Sequence, residues 1–281
     1  IFTSVGSESY NLAIKGIAYA YRHKGNHIIT SSIEHPAVLD SCKALEEEGF
    51  KVTYLRVDNN GFVDIEQLES AITLKTILVS IIHANNEIGT IQDIERIGKL
   101  CTRYNLIFHG DAVQSFTKTH IDVKKMNIGL LSFSAHKIHG PKGIGGLYVN
   151  EGILVKKQIH GGHQEFDFRA GTENIAGIVG FAKAVELCEE EQNRNMQLLR
   201  DKLIYNILKN IAYCRLNGAV GDKRLCNNVN VTFEYLDGEA LMMELDAKGV
   251  EVSTGSACSS QSRDPSHVLL AIGLNNDLAR G

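Results

Sequence analysis

The sequence predicts an α/β protein with a mainly parallel central sheet, followed by a smaller α+β domain. Three observations carry that expectation. In the first half of the chain, short runs rich in Ile, Leu and Val alternate with helical patterns of about 10–15 residues, the texture of strands covered on both faces by crossover helices. Several of these runs end in polar clusters, where parallel sheets bind their ligands. Past residue 193 the alternation gives way to short strands around one helix. Residues 1–192 therefore read as a large domain and residues 193–281 as a small one, with no low-complexity linker or internal repeat between them.

At 281 residues and 43% hydrophobic, the chain can bury a large core. Its formal net charge is −4 and it has no basic block, so neither nucleic acid nor an anionic membrane is an expected partner. No apolar run approaches the roughly 20 residues of a membrane helix. The six cysteines, at 42, 101, 188, 214, 226 and 258, form no CxxC pair, which argues against a zinc site or a disulfide framework and for a reducing compartment. The chain opens as a strand entering a turn and stops at Gly281 without capping logic. It reads as the interior of a longer protein.

Taken in order, Phe2 to Ser7 reads as a strand end and a Gly/Ser turn. Leu12, Ala13, Ile17 and Ala20 then give helical spacing over Glu8–His23, with Ser7 as its cap. Gly6 and Ser7 there can offer free N–H groups to an anion. His27–Ser31 is a strand, and Pro36–Glu48 a helix with proline in its first turn and Gly49 at its stop. Strands follow at Val52–Val57, Ile77–His83, Ile107–His109 and Leu130–Ser134, with helices at Asp64–Ile72 and Asp93–Tyr104. Asn174–Asn195 and Met196–Ile211 read as two helices, the first with Glu186, Glu189, Glu190 and Glu191 as its solvated face. Strands at Tyr213–Leu216, Val229–Phe233 and Val250–Ser253 surround a helix over Gly238–Ala247.

Four polar clusters fall at strand ends: Glu34-His35, His83 with Asn85-Asn86-Glu87, His109 to Gln114, and Ser134-Ala135-His136-Lys137. Lys137 stands at the mouth of the sheet beside hydroxyl and imidazole donors, a setting that suits a Schiff base to a phosphate-bearing aldehyde cofactor. No GxGxxG or Walker pattern points instead to a dinucleotide or NTP. The paired histidines His160 and His163 lack a carboxylate or cysteine at ligand spacing, so no metal is expected there. Residues 253–262 carry Cys258 among small and polar side chains only, a mobile exposed loop by composition and an uncommon place for a free cysteine.

Four segments, NNEIG, HGDAVQS, SFSAHKIHGPKGIG, and SACSS followed by DPSHVL, occur in that order along the chain. Together they resemble the cysteine desulfurases of the NifS/IscS type, pyridoxal 5'-phosphate enzymes of the class V aminotransferase family. The resemblance covers essentially the whole chain and implies an aspartate aminotransferase-like fold. By its motifs, Lys137 resembles the lysine that binds the cofactor covalently and Asp111 the carboxylate paired with its ring nitrogen. Gln114 matches the ligand of the phenolic oxygen, and His35 the imidazole on the ring face and a proton relay. Asn86 matches the residue near the phenolic oxygen and the substrate carboxylate. Gly6, Ser7, Ser134, Ala135 and His136 match the phosphate cradle. Thr172 resembles a residue that reaches the phosphate from the second subunit, implying a homodimer.

Cys258 resembles the nucleophile that takes sulfur from L-cysteine as a persulfide, releases L-alanine, and delivers the sulfur to an iron–sulfur scaffold protein or to tRNA thiolation. The resemblance implies no resident metal, only a transient iron–sulfur ligand at Cys258. The family's substrate-carboxylate arginine lies just beyond Gly281, and Arg280 is not assigned its role. The compartment stays open: cytoplasmic for a bacterial protein, mitochondrial or another organelle for a eukaryotic one. Selenocysteine lysis, transamination of a small amino acid and a non-catalytic assembly scaffold are the alternatives.

Overall fold

The computed structural model describes residues 1–254 and 265–280. A seven-stranded sheet organises it. Its strands are β1 (Phe2–Thr3), β2 (His27–Ser31), β3 (Lys51–Leu55), β4 (Thr76–Ile82), β5 (Ile107–Asp111), β6 (Leu130–Ser134) and β7 (Gly145–Val149), in the spatial order β1-β7-β6-β5-β4-β2-β3. The five strands from β3 to β6 run parallel, while β7 pairs antiparallel with both β6 and β1. A parallel sheet needs helices on both faces to cover it, and successive residues of each strand supply the two faces. Ile28, Leu78, Leu130 and Leu147 pack against α1 (Gly6–Tyr21) and α2 (Pro36–Glu47). Ile29, Val79, Phe108 and Leu131 face the other way, against α3 (Ile65–Ala71) and α4 (Ile94–Arg103). Chain order thus reverses beside β2, and the crevice at the carboxyl ends of β2 and β4 is the switch point where such sheets bind ligands.

Several elements differ from the expectation. Helix α1 begins at Gly6, so Ser7 lies inside it and does not cap it. The Ser4 N–H is met instead by the Glu8 carboxylate at 2.8 Å, which starts the helix earlier. Strand β5 runs through Asp111, so His109 is a strand residue and not part of the rim. Its ring is buried between Ser80 Oγ (2.8 Å) and Ser132 Oγ (2.9 Å), tying β4 and β6 to β5. Strand β7 and α8 (His267–Ala271) are additions to the expected set.

The two long helices break at 187–189 and not at 195: α5 is Ile175–Glu186 and α6 is Glu190–Asn210. Glu189 is extended, and Glu190 and Glu191 occupy the first turn of α6, where the helix dipole favours negative charge. Glu186 thus closes α5 while Glu189, Glu190 and Glu191 start the next helix, and residue 193 falls within α6. Strands β8 (Cys214–Leu216) and β9 (Val231–Phe233) pair with each other, and α7 spans Gly238–Asp246. Val250–Ser253 is not a strand: its valines are about half exposed and no described strand lies beside it to take its backbone groups. No helix among the described residues is long and apolar enough to cross a membrane.

Helix α4 closes on the chain at residue 126 through Gly98, where an added Cβ would lie 1.9 Å from the Met126 carbonyl oxygen. Alanine gains about 1 kcal/mol of helix propensity over glycine, but overpacking against backbone costs about 1–3 kcal/mol or more. Gly98→Ala is therefore expected to lower the urea midpoint of unfolding despite the better helix former.

Candidate active site

Parallel register sets the site. Asp111, the last residue of β5, lies level with Ile82 of β4 and Ser132 of β6. Its buried carboxylate accepts the Val113 N–H at 2.9 Å and is hydrogen-bonded by the Tyr10 side chain. Burial pushes its pKa up to about 6, against which those hydrogen bonds and the charge of Lys137 pull it down. The Tyr10 ring, from α1, also lies 5.5 Å from the ring of His35.

His35 caps α2: the Ala37 N–H donates to its Nδ1 at 3.1 Å, which leaves the ring proton on Nε2. Burial, then the charges of Lys137 and His267, lower its pKa, so the imidazole stays neutral. Asn85 builds the next loop, accepting the N–H groups of Glu87 and Ile88 and donating to the Ile33 carbonyl. Asn86 is left half-buried at the rim.

Strand β6 ends at Ser134 and turns into a 3-10 helix, Ala135–Ile138, that carries Lys137 half-buried. Ser134 Oγ and His136 Nδ1 sit 2.9 Å apart. The Ala135 N–H is committed to the Ile144 carbonyl at 3.2 Å, leaving that residue a contribution of shape. Gly145, paired with Ser134 across β6 and β7, lets α1 start close by, since a Cβ there would lie 2.9 Å from the Val5 backbone. The N–H groups of Gly6 and Ser7, the first two residues of α1, precede the helical ladder and face no intrahelical acceptor.

Lys137, Asp111, His35 and Tyr10 are thus brought to one strand edge, with Ser134 and the start of α1 alongside. The side chains of Lys137, Gln114 and Asn86 have no hydrogen-bond partner among the described residues. A phosphate-bearing, nitrogen-heterocyclic aldehyde fits this set: an amine for its carbonyl, a buried carboxylate that a protonated ring nitrogen would compensate, and a helix start for its phosphate. Thr172 is exposed on a separate loop, which the Arg169–Glu8 ion pair (2.9 Å) ties to α1. Cys258 lies outside the described residues.

Four further residues support the site. Ser266 Oγ donates to the Glu87 carboxylate, and His267 Nε2–H donates to the Glu34 carbonyl at 3.0 Å, so the start of α8 grips the loops carrying Asn86 and His35. Tyr10 reads in sequence as an ordinary helix residue. Ser266 ahead of Val268, Leu269 and Leu270 is a cap signal that could have revealed α8. Lys118, four residues after Gln114, places its ammonium on the Gln114 and Lys137 carbonyls.

The fold and the lysine–carboxylate edge define a pyridoxal-phosphate enzyme of the α/β class. Comparison with known proteins narrows it. The Aminotransferase class-V family model matches residues 1–278. A cysteine desulfurase IscS of Clostridium botulinum is 56% identical over all of this chain and 72% of its own length. One from Methanosarcina thermophila is 55% identical over all of this chain and 70% of its own. Among solved structures, a NifS-like protein superposes with a TM-score of 0.91 at 39% identity, over 100% of this chain and 74% of that one. SspA in complex with cysteine gives a TM-score of 0.87 at 43% identity, over 100% and 78%. The chain belongs to the class-V aminotransferase family and, within it, to the pyridoxal-phosphate-dependent cysteine desulfurases of the NifS/IscS type.

Glu34 supplies a pH test of this electrostatic setting. It is fully buried, its Oε1 accepting from Ser31 Oγ and the Ile82 N–H while Oε2 has no partner among the described residues. Burial, with a contribution from Asp111, raises its pKa from 4.5 to about 8. The folded chain therefore holds a proton that the unfolded chain releases above about pH 4.5, and stability falls as pH rises toward 8. A tenfold difference in proton affinity between the folded and unfolded chain is worth about 1.4 kcal/mol, so the decline is large enough to measure. Glu34→Gln, which keeps an acceptor for Ser31 and Ile82, is expected to flatten that decline in urea unfolding of the cofactor-free protein between pH 5 and 8.

Proposed function

We propose that this chain removes sulfur from L-cysteine, giving L-alanine and a persulfide on Cys258, and passes that sulfur to an iron–sulfur scaffold protein or a tRNA-thiolation acceptor. The observation that carries the reading is Lys137, carried by the turn after β6, sharing the carboxyl edge of the parallel sheet with a buried Asp111 and the adjoining His35 and Tyr10 rings. Bound pyridoxal phosphate supplies an electron sink that makes the substrate Cα proton removable.

This chain's own residues do the rest. Lys137 Nζ would hold the cofactor covalently and, as a free amine, would take and return the proton at the substrate Cα. Asp111 keeps the ring nitrogen protonated. His35 would lie on the ring face with its Nε2–H left to relay a proton, and Gln114 and Asn86 would orient the phenolic oxygen and the substrate carboxylate. Ser134, His136 and the N–H groups of Gly6 and Ser7 hold the phosphate, with Ala135 shaping the turn. The Cys258 thiolate attacks the substrate sulfur: the Cβ–S bond breaks, an S–S bond forms, and a proton goes to Cβ, so cysteine and thiol become alanine and persulfide.

A homodimer completes the site, with Thr172 reaching the neighbouring protomer's phosphate. The exposed apolar residues Ile175 and Val179 on α5 support such a contact. Residues 1–192 carry the cofactor and residues 193–281 form the small domain with the sulfur-carrying segment. The bacterial origin of the Clostridium relative favours the cytoplasm.

Borohydride reduction of the holoenzyme is expected to fix the cofactor to Lys137. Lys137→Ala should abolish that label and cut alanine release by at least about 100-fold, the scale of a lost general acid–base group; undiminished release would refute the assignment. Cys258→Ala is expected to keep the visible absorbance of the bound cofactor and form no persulfide. Keto-acid formation in place of alanine would make the chain a transaminase.

A further inference from the structure

The cation of Lys118 is not used by the reaction, yet it touches the residues that are. Its Nζ donates to the main-chain carbonyl of Lys137 at 3.0 Å and to that of Gln114 at 3.1 Å. Both oxygens sit at turn ends that their own backbone leaves open. The two N–H groups that a helix would bring to the Lys137 carbonyl belong to positions 140 and 141. The Gly140 N–H is committed to the Ala135 carbonyl at 2.9 Å, and Pro141 has none. His139, with φ of 63°, turns the chain back before any further turn forms.

On the other side, the Lys118 N–H goes to the Ser115 carbonyl at 2.9 Å, so the Gln114 carbonyl is also met by the ammonium. The side chain is half-buried, and its ammonium's hydrogen-bond partners among the described residues are both neutral carbonyls. Burial and the neighbouring Lys137 charge lower its pKa.

We propose that Lys118 is a positioning residue of the desulfurase reaction: its ammonium staples the turn carrying Lys137 to the turn carrying Gln114, fixing the Lys137 amine over the ring that Asp111 and Gln114 hold. The proposal rests on the reading of Lys137 as the cofactor lysine. A brace for the fold alone would change stability and leave the chemistry intact. A staple acts on the amine's approach to the reacting atoms, where misplacement by about 1 Å costs about 100-fold in rate.

The test compares Lys118→Met, which removes both donors, with Lys118→Arg, whose guanidinium can serve both carbonyls. In the holoenzyme, Lys118→Met is expected to lower kcat for alanine release by about 10–100-fold while KM for L-cysteine moves by no more than about twofold. It should also displace the pH titration of the bound cofactor's visible absorbance, and Lys118→Arg should recover most of both. In the cofactor-free protein, hydrogen exchange at the amides of residues 137–140 is expected to quicken about tenfold in Lys118→Met and little in Lys118→Arg.

Unchanged exchange at those amides, or an unchanged kcat and titration in a folded Lys118→Met, overturns the proposal. If the Met variant does not fold, Lys118→Gln, whose shorter amide reaches at most one carbonyl, takes its place under the same outcomes. Absence of a borohydride label at Lys137 in the unmodified holoenzyme would instead overturn the reading of Lys137, and the exchange measurement would still decide the staple.

Discussion

Holding a carboxylate in a dry layer at the end of a parallel strand is the constraint on which this site depends. Asp111 has β4 on one side and β6 on the other, and water reaches it from neither. The main-chain N–H of Val113 and the Tyr10 side chain favour its charged form, while burial opposes it. Glu34 is buried too, with one oxygen hydrogen-bonded and the other without a partner among the described residues, and burial raises it further, to about 8. The two acids are thus held apart in ionisation by their surroundings. Glu34 stays neutral and ties β2 to β4, and Asp111 is the one that a neighbouring cation can charge.

The imidazoles follow the same logic. His109 and His83 are buried and bonded to serine hydroxyls, and desolvation lowers them to about 3 and about 4. Both stay neutral and serve as cross-links between strands and turns. His35 is also kept neutral, but at the rim, where its fixed Nε2–H points away from the helix it caps. The same side chain therefore glues the sheet when its polar partners lie on both flanks, and becomes available for chemistry when one nitrogen is left over.

Much of this was legible in the sequence because local signals carry it. Lys137 falls three residues past an apolar strand, Asp111 lies in the polar cluster that follows another, and His35 precedes a proline-started helix, so period and punctuation locate all three. His109 was harder: alternation alone did not tell a strand residue from a rim residue when the strand itself ends in Gly110 and Asp111. Tyr10 was invisible as a site residue, since an apolar helix position looks the same whether its hydroxyl meets solvent or a buried acid. The bonds from Ser266 to Glu87 and from His267 to Glu34 join positions 179 and 233 residues apart, a distance over which periodicity carries no information. Val250 and Val252 show the converse error. Their β propensity is real, but a strand exists only where a neighbour takes its backbone groups.

The grip of α8 on the Glu34 and Glu87 loops also sets a leash. Whatever path residues 255–264 take, Cys258 is eight peptide units from Ser266, and so no farther from that anchor than about 28 Å. A tether of that length holds what it carries at an effective concentration in the millimolar range around its anchor. Lengthening the stretch between Cys258 and Ser266 would lower that concentration while leaving the Ser266 and His267 bonds that anchor it in place.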